Sequence, residues 1–142
     1  MSDSITIGGH TRLRPFNTAD TYPEQSLSND LAQGVVAHNT VYLRGQVSQD
    51  LDTRESVAIG DPVGQAHQIV DNIELLLQEA GASVKHIVSA HVYLTDIRLR
   101  EDVYGVLGAR LKGVFYASTG VVVQALARPE WDVEVTVTAV IP

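Results

Sequence analysis

Two short stretches of the sequence carry side chains that are able to bind or transform a small molecule. The first is Arg44-Gly45-Gln46, at the end of a predicted strand. A guanidinium there can hold a carboxylate through two parallel hydrogen bonds, and the glycine lets a ligand approach the backbone. The second lies on the last predicted strand, where Glu134 and Thr136 point to the same face. A carboxylate and a hydroxyl that face one cleft can orient water and transfer protons.

A purely structural role for these residues is the alternative. A salt bridge within the subunit would explain Arg44 at a strand end equally well. Glu134 and Thr136 would also fit a strand face that meets solvent or another subunit. Alternation along the strand leaves both alternatives open.

Several other kinds of site have no support in the sequence. The chain contains no cysteine, which excludes thiolate nucleophiles, cysteine-ligated metals and disulfides. Histidines at positions 10, 38, 67, 86 and 91 show no metal-binding spacing, so we expect no metal site. The sequence also lacks a serine-hydrolase elbow, a phosphate-binding glycine loop and a dinucleotide fingerprint.

Length and charge predict one soluble domain over residues 1–142. The net charge is −7 and the only lysines are Lys85 and Lys112, so no basic stripe is available for nucleic acid. No apolar run approaches the roughly 18 residues of a membrane span, and the N-terminus lacks the features of a secretory signal. We therefore expect a cytoplasmic protein without a membrane or nucleic-acid partner.

The first half of the chain predicts a hairpin followed by a long helix. Turn-forming residues dominate the first 30 positions and predict one short strand and a long loop. Two β-branched runs then flank His38-Asn39, a pair that fits a tight hairpin turn. Asp61 and Pro62 are typical of a helix N-terminus, and apolar residues recur at helical spacing until Gly81. The pattern predicts a helix over residues 62–80.

The second half predicts a strand, a shorter helix and two more strands. In the stretch 87–94, even-numbered residues are expected on one face and odd-numbered residues on the other. A helix follows Asp96 and ends near Gly113, before a valine-rich strand and the alternating segment WDVEVTVT. Two helices on one face of a mixed sheet leave its other face uncovered. We expect further subunits to cover that face.

This order of elements, together with three stretches of sequence, resembles the Rid (reactive intermediate deaminase, YjgF-like) family. The stretches are YLRGQ, EAGASVKHIVSAHVYLTD and LARPEWDVEVTVTAVIP, and the match covers about residues 28–142. The resemblance implies a chorismate-mutase-like α/β (α+β) fold, with a mixed β-sheet and two helices on one face. It also implies a homotrimer with a central barrel and with ligand clefts between adjacent subunits. The resemblance further implies hydrolysis of enamines and imines in these clefts without a cofactor.

Carried over residue by residue, the family's site falls on different residue types in this chain. The family's arginine, which holds the substrate carboxylate, falls on Thr119, and its glutamate, which positions water, falls on Thr136. Gly45 is retained, and Arg44 is the obvious substitute cation. The chain therefore resembles a divergent subgroup that lacks the usual catalytic arginine. The other family positions are a cysteine at Val121, an asparagine at Tyr104, a tyrosine at Leu31 and a serine at Arg44.

Two functions follow from the resemblance and the residues together. The first is a hydrolase for imines, enamines or related small unsaturated metabolites, with Thr136 and Glu134 as catalytic residues. The second is a trimer that binds small metabolites without turnover, as the missing arginine and glutamate favour. A ribonuclease or translation-inhibitor role is disfavoured by the acidic charge. The residues expected to bind substrate are Arg44, Gly45, Tyr104, Thr119, Val121 and Leu31.

Overall fold

A seven-stranded mixed sheet organises the fold, and a separate pair of short strands lies beside it. The computed structural model describes residues 3–142, which contain nine strands. They are β1 Ser4–Ile7, β2 His10–Leu13, β3 Phe16–Asn17, β4 Asp30–Leu31, β5 Gly34–Ala37, β6 Thr40–Leu43, β7 Ile87–Leu94, β8 Ala117–Val122 and β9 Val133–Val140. The main sheet has the order β1-β2-β5-β6-β9-β7-β8, in which only β7 and β8 are parallel.

Three α-helices lie in the same residues: α1 Thr18–Thr21, α2 Pro62–Glu79 and α3 Arg100–Arg110. Helix α2 begins as its sequence predicts, because the Asp61 side chain accepts a hydrogen bond of 3.0 Å from the Gly64 N–H. Gly81, with a φ of +81°, follows its end. None of the helices in the described part of the chain is long and apolar enough to cross a membrane.

The two main helices, α2 and α3, cover one face of the sheet, and the core lies between these helices and the sheet. Alternate residues of β9 are fully buried there, and so is the inner stripe of α2. This arrangement confirms the predicted mixed sheet with two helices on one face. The β9 core residues are Val133, Val135, Val137 and Ala139, and those of α2 include Ile69, Val70, Ile73, Leu76 and Leu77.

The opposite face of the sheet, here called the open face, has no helix of the described chain packed on it. Tyr42 on β6 is 52% exposed, and Val121 on β8 is 43% exposed. Strand pairing places polar residues between them, since His91 lies opposite both Thr119 and Thr136. The open face therefore carries a row of side chains that reaches from β8 across β7 to β9.

Two sequence predictions about strands were wrong. One short strand and a long loop were expected in the first 30 residues. Instead, β1 and β2 form a hairpin, because Gly8 and Gly9 at positive φ make a tight turn between them. The short strands β3 and β4 also begin within this stretch. In β7, a register shift between Ile87 and Ser89 reverses the expected facing of the first residues. Ile87 is therefore buried at 3% exposure and Val88 is 48% exposed.

Candidate functional site

A cleft of about 210 Å³ at the end of β6 brings four of the sequence-predicted residues together. Arg44 and Gly45 directly follow β6, Glu134 is on β9, and Leu31 ends β4. Apolar side chains of Leu27, Val47 and Trp131 form much of the remaining wall. The cleft thus combines one cation and one carboxyl with an apolar surround, the usual composition of a small-molecule site.

Backbone hydrogen bonds hold the segments that carry Arg44 and Glu134 next to each other. The Gln46 N–H donates to the Val135 carbonyl at 2.8 Å, and the Val135 N–H donates to the Gln46 carbonyl at 3.0 Å. This bridge holds the Arg44–Gln46 turn against the start of β9. A β-carbon on Gly45 would overlap the Glu134 carboxylate, so glycine is required for the carboxylate to lie over the backbone there.

Glu134 is a carboxyl group with an altered acidity. Burial in the cleft raises its pKa above the ordinary value, and the positive charge of Arg44 opposes that rise without cancelling it. A carboxyl of this kind holds its proton to a higher pH than an exposed glutamate. It is therefore better suited than an exposed glutamate to donate a proton and to take one back.

Arg44 is held by aromatic groups. Its guanidinium carbon lies 5.1 Å from the centroid of the Phe16 ring, and its Nη1 donates to the Tyr22 hydroxyl at 3.3 Å. Across residues 3–142, no carboxylate lies within salt-bridge distance of it. Within these residues, Arg44 therefore does not form the salt bridge that was the alternative explanation for it, and its guanidinium charge stays available to an anionic ligand.

Sequence reasoning missed the aromatic wall of the cleft. Tyr22 and Trp131 are 4% and 2% exposed, and their rings meet edge to face with centroids 6.2 Å apart. Arg128 stacks on both, with its guanidinium carbon 5.0 Å from the Tyr22 centroid and 5.1 Å from the Trp131 centroid. The unusual Ala-Arg-Pro-Glu-Trp segment was the available signal for Trp131, whereas no motif marks Tyr22.

The other predicted residues lie outside this cleft in the single chain. Thr136 is half-buried on the open face, in one row with His91 and the exposed Thr119. Val121 lies opposite Tyr93, which pairs with Glu134 on its other side. Two strand spacings of roughly 4.8 Å each therefore separate Val121 from Glu134 along the sheet.

Tyr104 is on the helix side of β8. Its hydroxyl lies 3.3 Å from the Ser118 Oγ, and the Arg100 guanidinium carbon is 4.5 Å from its ring centroid. A β-carbon on Gly120 would overlap that hydroxyl, so the tyrosine covers the strand closely. Because Ser118 and Thr119 point to opposite faces of the sheet, the chain alone does not bring Tyr104 and Thr119 together.

The sequence model of the family described as Endoribonuclease L-PSP matches residues 24–141. The chain belongs to this family. Among solved structures, a Rid-family protein of unknown function from Yersinia pestis is 29% identical, with a TM-score of 0.73 over 78% of this chain and 86% of that chain. The resemblance of this Endoribonuclease L-PSP family member to Rid proteins is therefore confirmed.

Curated relatives match shorter stretches of this family member. A RutC family protein of Pyrococcus abyssi is 36% identical over 66 residues, which are 46% of this chain and 51% of the relative. A protein named 3-aminoacrylate deaminase RutC, from Acinetobacter baylyi, is 32% identical over 60 residues, 42% of this chain and 47% of the relative. The matched stretch spans about half the length of these relatives.

Proposed function

We propose that the protein is a cofactor-free hydrolase of small imines or enamines that carry a carboxylate. The observation that carries this proposal is the pairing of Glu134 with Arg44 across one cleft, where burial raises the pKa of the glutamate. Hydrolysis of an enamine needs a proton donor, a positioned water and an anchor, and these two side chains supply the donor and the anchor. A relative named 3-aminoacrylate deaminase supports the same reaction class.

The reaction begins with binding and protonation. Arg44 binds the substrate carboxylate through charge-assisted hydrogen bonds. The bound carboxylate offsets the positive charge of Arg44, which lowers the pKa of Glu134 in the free protein, so binding favours the protonated acid. Glu134 then gives its proton to the β-carbon of the enamine, and the nitrogen lone pair forms the C=N bond of an iminium ion.

Addition of water completes the reaction. The Glu134 carboxylate accepts a proton from water while the water oxygen bonds to the iminium carbon. Glu134 passes this proton to the nitrogen of the resulting carbinolamine, the C–N bond breaks, and the hydroxyl proton returns to Glu134 as the carbonyl forms. Ammonia and a keto acid leave, and the oxygen of the new carbonyl comes from water. An imine substrate takes the Glu134 proton on its nitrogen instead of on carbon, and the resulting iminium ion then enters the second stage.

A trimer that binds metabolites without turnover is the second candidate. It is favoured by Thr119 and Thr136, since the resemblance places an arginine and a glutamate at those positions. Both threonines lie on the open face, outside the Arg44 cleft. A ribonuclease function, which the family's description names, is opposed by the net charge of −7.

A homotrimer belongs to the proposal. Apolar side chains on the open face are exposed in the single chain, including Tyr42, Val121 and Val140 at 52%, 43% and 40%. Burial of such side chains favours self-association. Sedimentation equilibrium should give a mass near three times 15.4 kDa. A monomeric mass at micromolar concentration would contradict the trimer and remove any intersubunit contribution to the cleft.

Ammonia release from freshly generated 2-imino acids tests the hydrolase directly. We expect the native protein to accelerate release, and Glu134→Gln to lose about 100-fold of that acceleration, the scale of general acid–base catalysis. Thr138→Val, on the same strand face but outside the cleft, is the matched control and should retain native activity. Keto acid binding by a native protein that releases no ammonia above the buffer rate would favour the second candidate.

A further inference from the structure

The Tyr22 ring is held in place independently of its hydroxyl. Its backbone N–H donates to the Thr18 carbonyl at 2.8 Å, and its carbonyl accepts from the Gln25 N–H at 2.9 Å. The Trp131 ring meets the Tyr22 ring edge to face, and the Arg128 guanidinium stacks on it. Removing the hydroxyl alone should therefore leave the ring and its neighbours in position.

The hydroxyl itself faces Arg44 in the candidate cleft. It accepts a hydrogen bond of 3.3 Å from Arg44 Nη1, and both residues line the cleft. Within residues 3–142 this hydroxyl has no other hydrogen-bond partner, although the tyrosine is only 4% exposed. A phenol that accepts from a cation keeps its own proton to donate. The hydroxyl proton is therefore available to an acceptor on a ligand bound in the cleft.

We infer that the Tyr22 hydroxyl binds the substrate carboxylate together with Arg44, so that the two residues form a carboxylate clamp. In this arrangement Arg44 donates one N–H to the tyrosine oxygen and others to the carboxylate, while the Tyr22 O–H donates to a carboxylate oxygen. The inference rests on the proposed function for the identity of the substrate. The clamp itself requires only that a small carboxylate binds in this cleft.

Polarisation makes Tyr22 a better donor than an isolated phenol. A hydrogen bond from a guanidinium withdraws electron density from the phenol oxygen, and chains of hydrogen bonds strengthen each other in a low-dielectric site. The Arg44–Tyr22 hydrogen bond also restricts the movement of the guanidinium, which in addition lies over the Phe16 ring. The clamp is therefore partly preorganised before a ligand arrives. It should distinguish a carboxylate from a neutral amide of the same shape.

Binding of pyruvate and of its neutral amide, pyruvamide, tests the clamp without requiring turnover. Titrations of the native protein, Tyr22→Phe and Tyr42→Phe would be followed by NMR or calorimetry. Tyr22→Phe should weaken pyruvate binding about tenfold, because a hydrogen bond to a charged group is lost. Pyruvamide binding should not change. Tyr42, which does not line the cleft, provides the matched loss of a tyrosine hydroxyl, and native affinity is expected provided that sedimentation shows an unchanged subunit assembly.

The outcomes separate this inference from the proposed function. Native pyruvate affinity in Tyr22→Phe, or equal affinity of the native protein for pyruvate and pyruvamide, would overturn the clamp. Tyr22-dependent pyruvate binding in a protein that releases no ammonia would support the clamp and overturn the hydrolase. If imines are hydrolysed, Tyr22→Phe should raise KM for carboxylate-bearing substrates more than it lowers kcat.

Discussion

The two faces of β9 differ in what fixes their residues. On the core face, Val133, Val135 and Val137 are at most 2% exposed and pack under the helices. On the other face, Glu134 and Thr136 are half-buried, and no helix of the described chain covers them. Packing dictates the first set, so its residue types follow the fold. The second set is less constrained by packing, and it includes Thr136, where the resemblance predicts a departure from the family's glutamate.

The largest effect should come from a charge on the core face. Val135→Asp places a carboxylate at a position that is 2% exposed, where no partner side chain is available to neutralise it. We expect a loss of more than about 4 kcal/mol in the free energy of unfolding, enough to abolish folding of many domains. Urea denaturation of the purified variant, or its failure to express in soluble form, checks this.

Thr138→Asp is the control on the opposite face of the same strand. Its side chain is half-buried on the open face of the single subunit, so the carboxylate retains contact with water there, although in the proposed trimer it would weaken association. A change within about 1 kcal/mol is expected for the folded subunit. Equal losses at Val135 and Thr138 would show that the two faces of β9 are wrongly assigned.

A smaller effect, on activity and not on folding, is expected from Gly45→Ala. The new β-carbon would overlap the end of the Glu134 side chain, which is flexible enough to move away. Displacement of a catalytic group by about 1 Å can cost roughly 100-fold in rate. We expect a fall of that order in kcat/KM, with a near-native unfolding midpoint.

Gly105→Ala provides the matched substitution for Gly45→Ala. Gly105 lies in α3, and a β-carbon there meets no other atom within 4 Å. Alanine should stabilise the helix by about 0.5–1 kcal/mol and leave activity unchanged. A Gly45→Ala protein with native kcat/KM would show that the close approach of Glu134 to the backbone has no catalytic importance.

The smallest effect concerns pH and stability. Burial raises the folded-state pKa of Glu134, so its contribution to stability is complete below the unfolded pKa and is lost as pH rises through the folded pKa. Glu134→Gln removes this titration. As pH rises above the unfolded pKa of a glutamate and through the higher folded pKa, the native protein should lose stability relative to Glu134→Gln, as thermal unfolding at each pH would show. A constant difference between the two proteins would mean that the glutamate is not desolvated.

The local elements of the fold could be predicted because their signals lie close together in sequence. Asp61-Pro62 and Gly81 mark α2 to within one residue, and His38 takes the positive φ expected in the β5–β6 turn. The errors had different causes. The bulge at Val88 depends on how β7 pairs with β9, a contact between distant segments that alternation cannot reveal.

The candidate site was predictable only in part. Arg44, Gly45 and Glu134 stand out by type and position, and the backbone bridge between Gln46 and Val135 brings them together. Tyr22 could not be identified, because it reaches the cleft through a loop whose path depends on contacts with Trp131 and Arg128. Thr119 and Val121, which were predicted from the resemblance, lie on β8, away from this cleft in the single chain.

The most direct test of the account is the rate of ammonia release from carboxylate-bearing and carboxylate-free imines, compared for native protein and Arg44→Ala. Loss of a charge-assisted contact of about 1.5–3 kcal/mol should lower kcat/KM for the carboxylate-bearing imine at least tenfold. The rate for the carboxylate-free imine should stay near native. Equal rates for native protein and Arg44→Ala with the carboxylate-bearing imine would contradict the claim that Arg44 anchors the substrate beside Glu134.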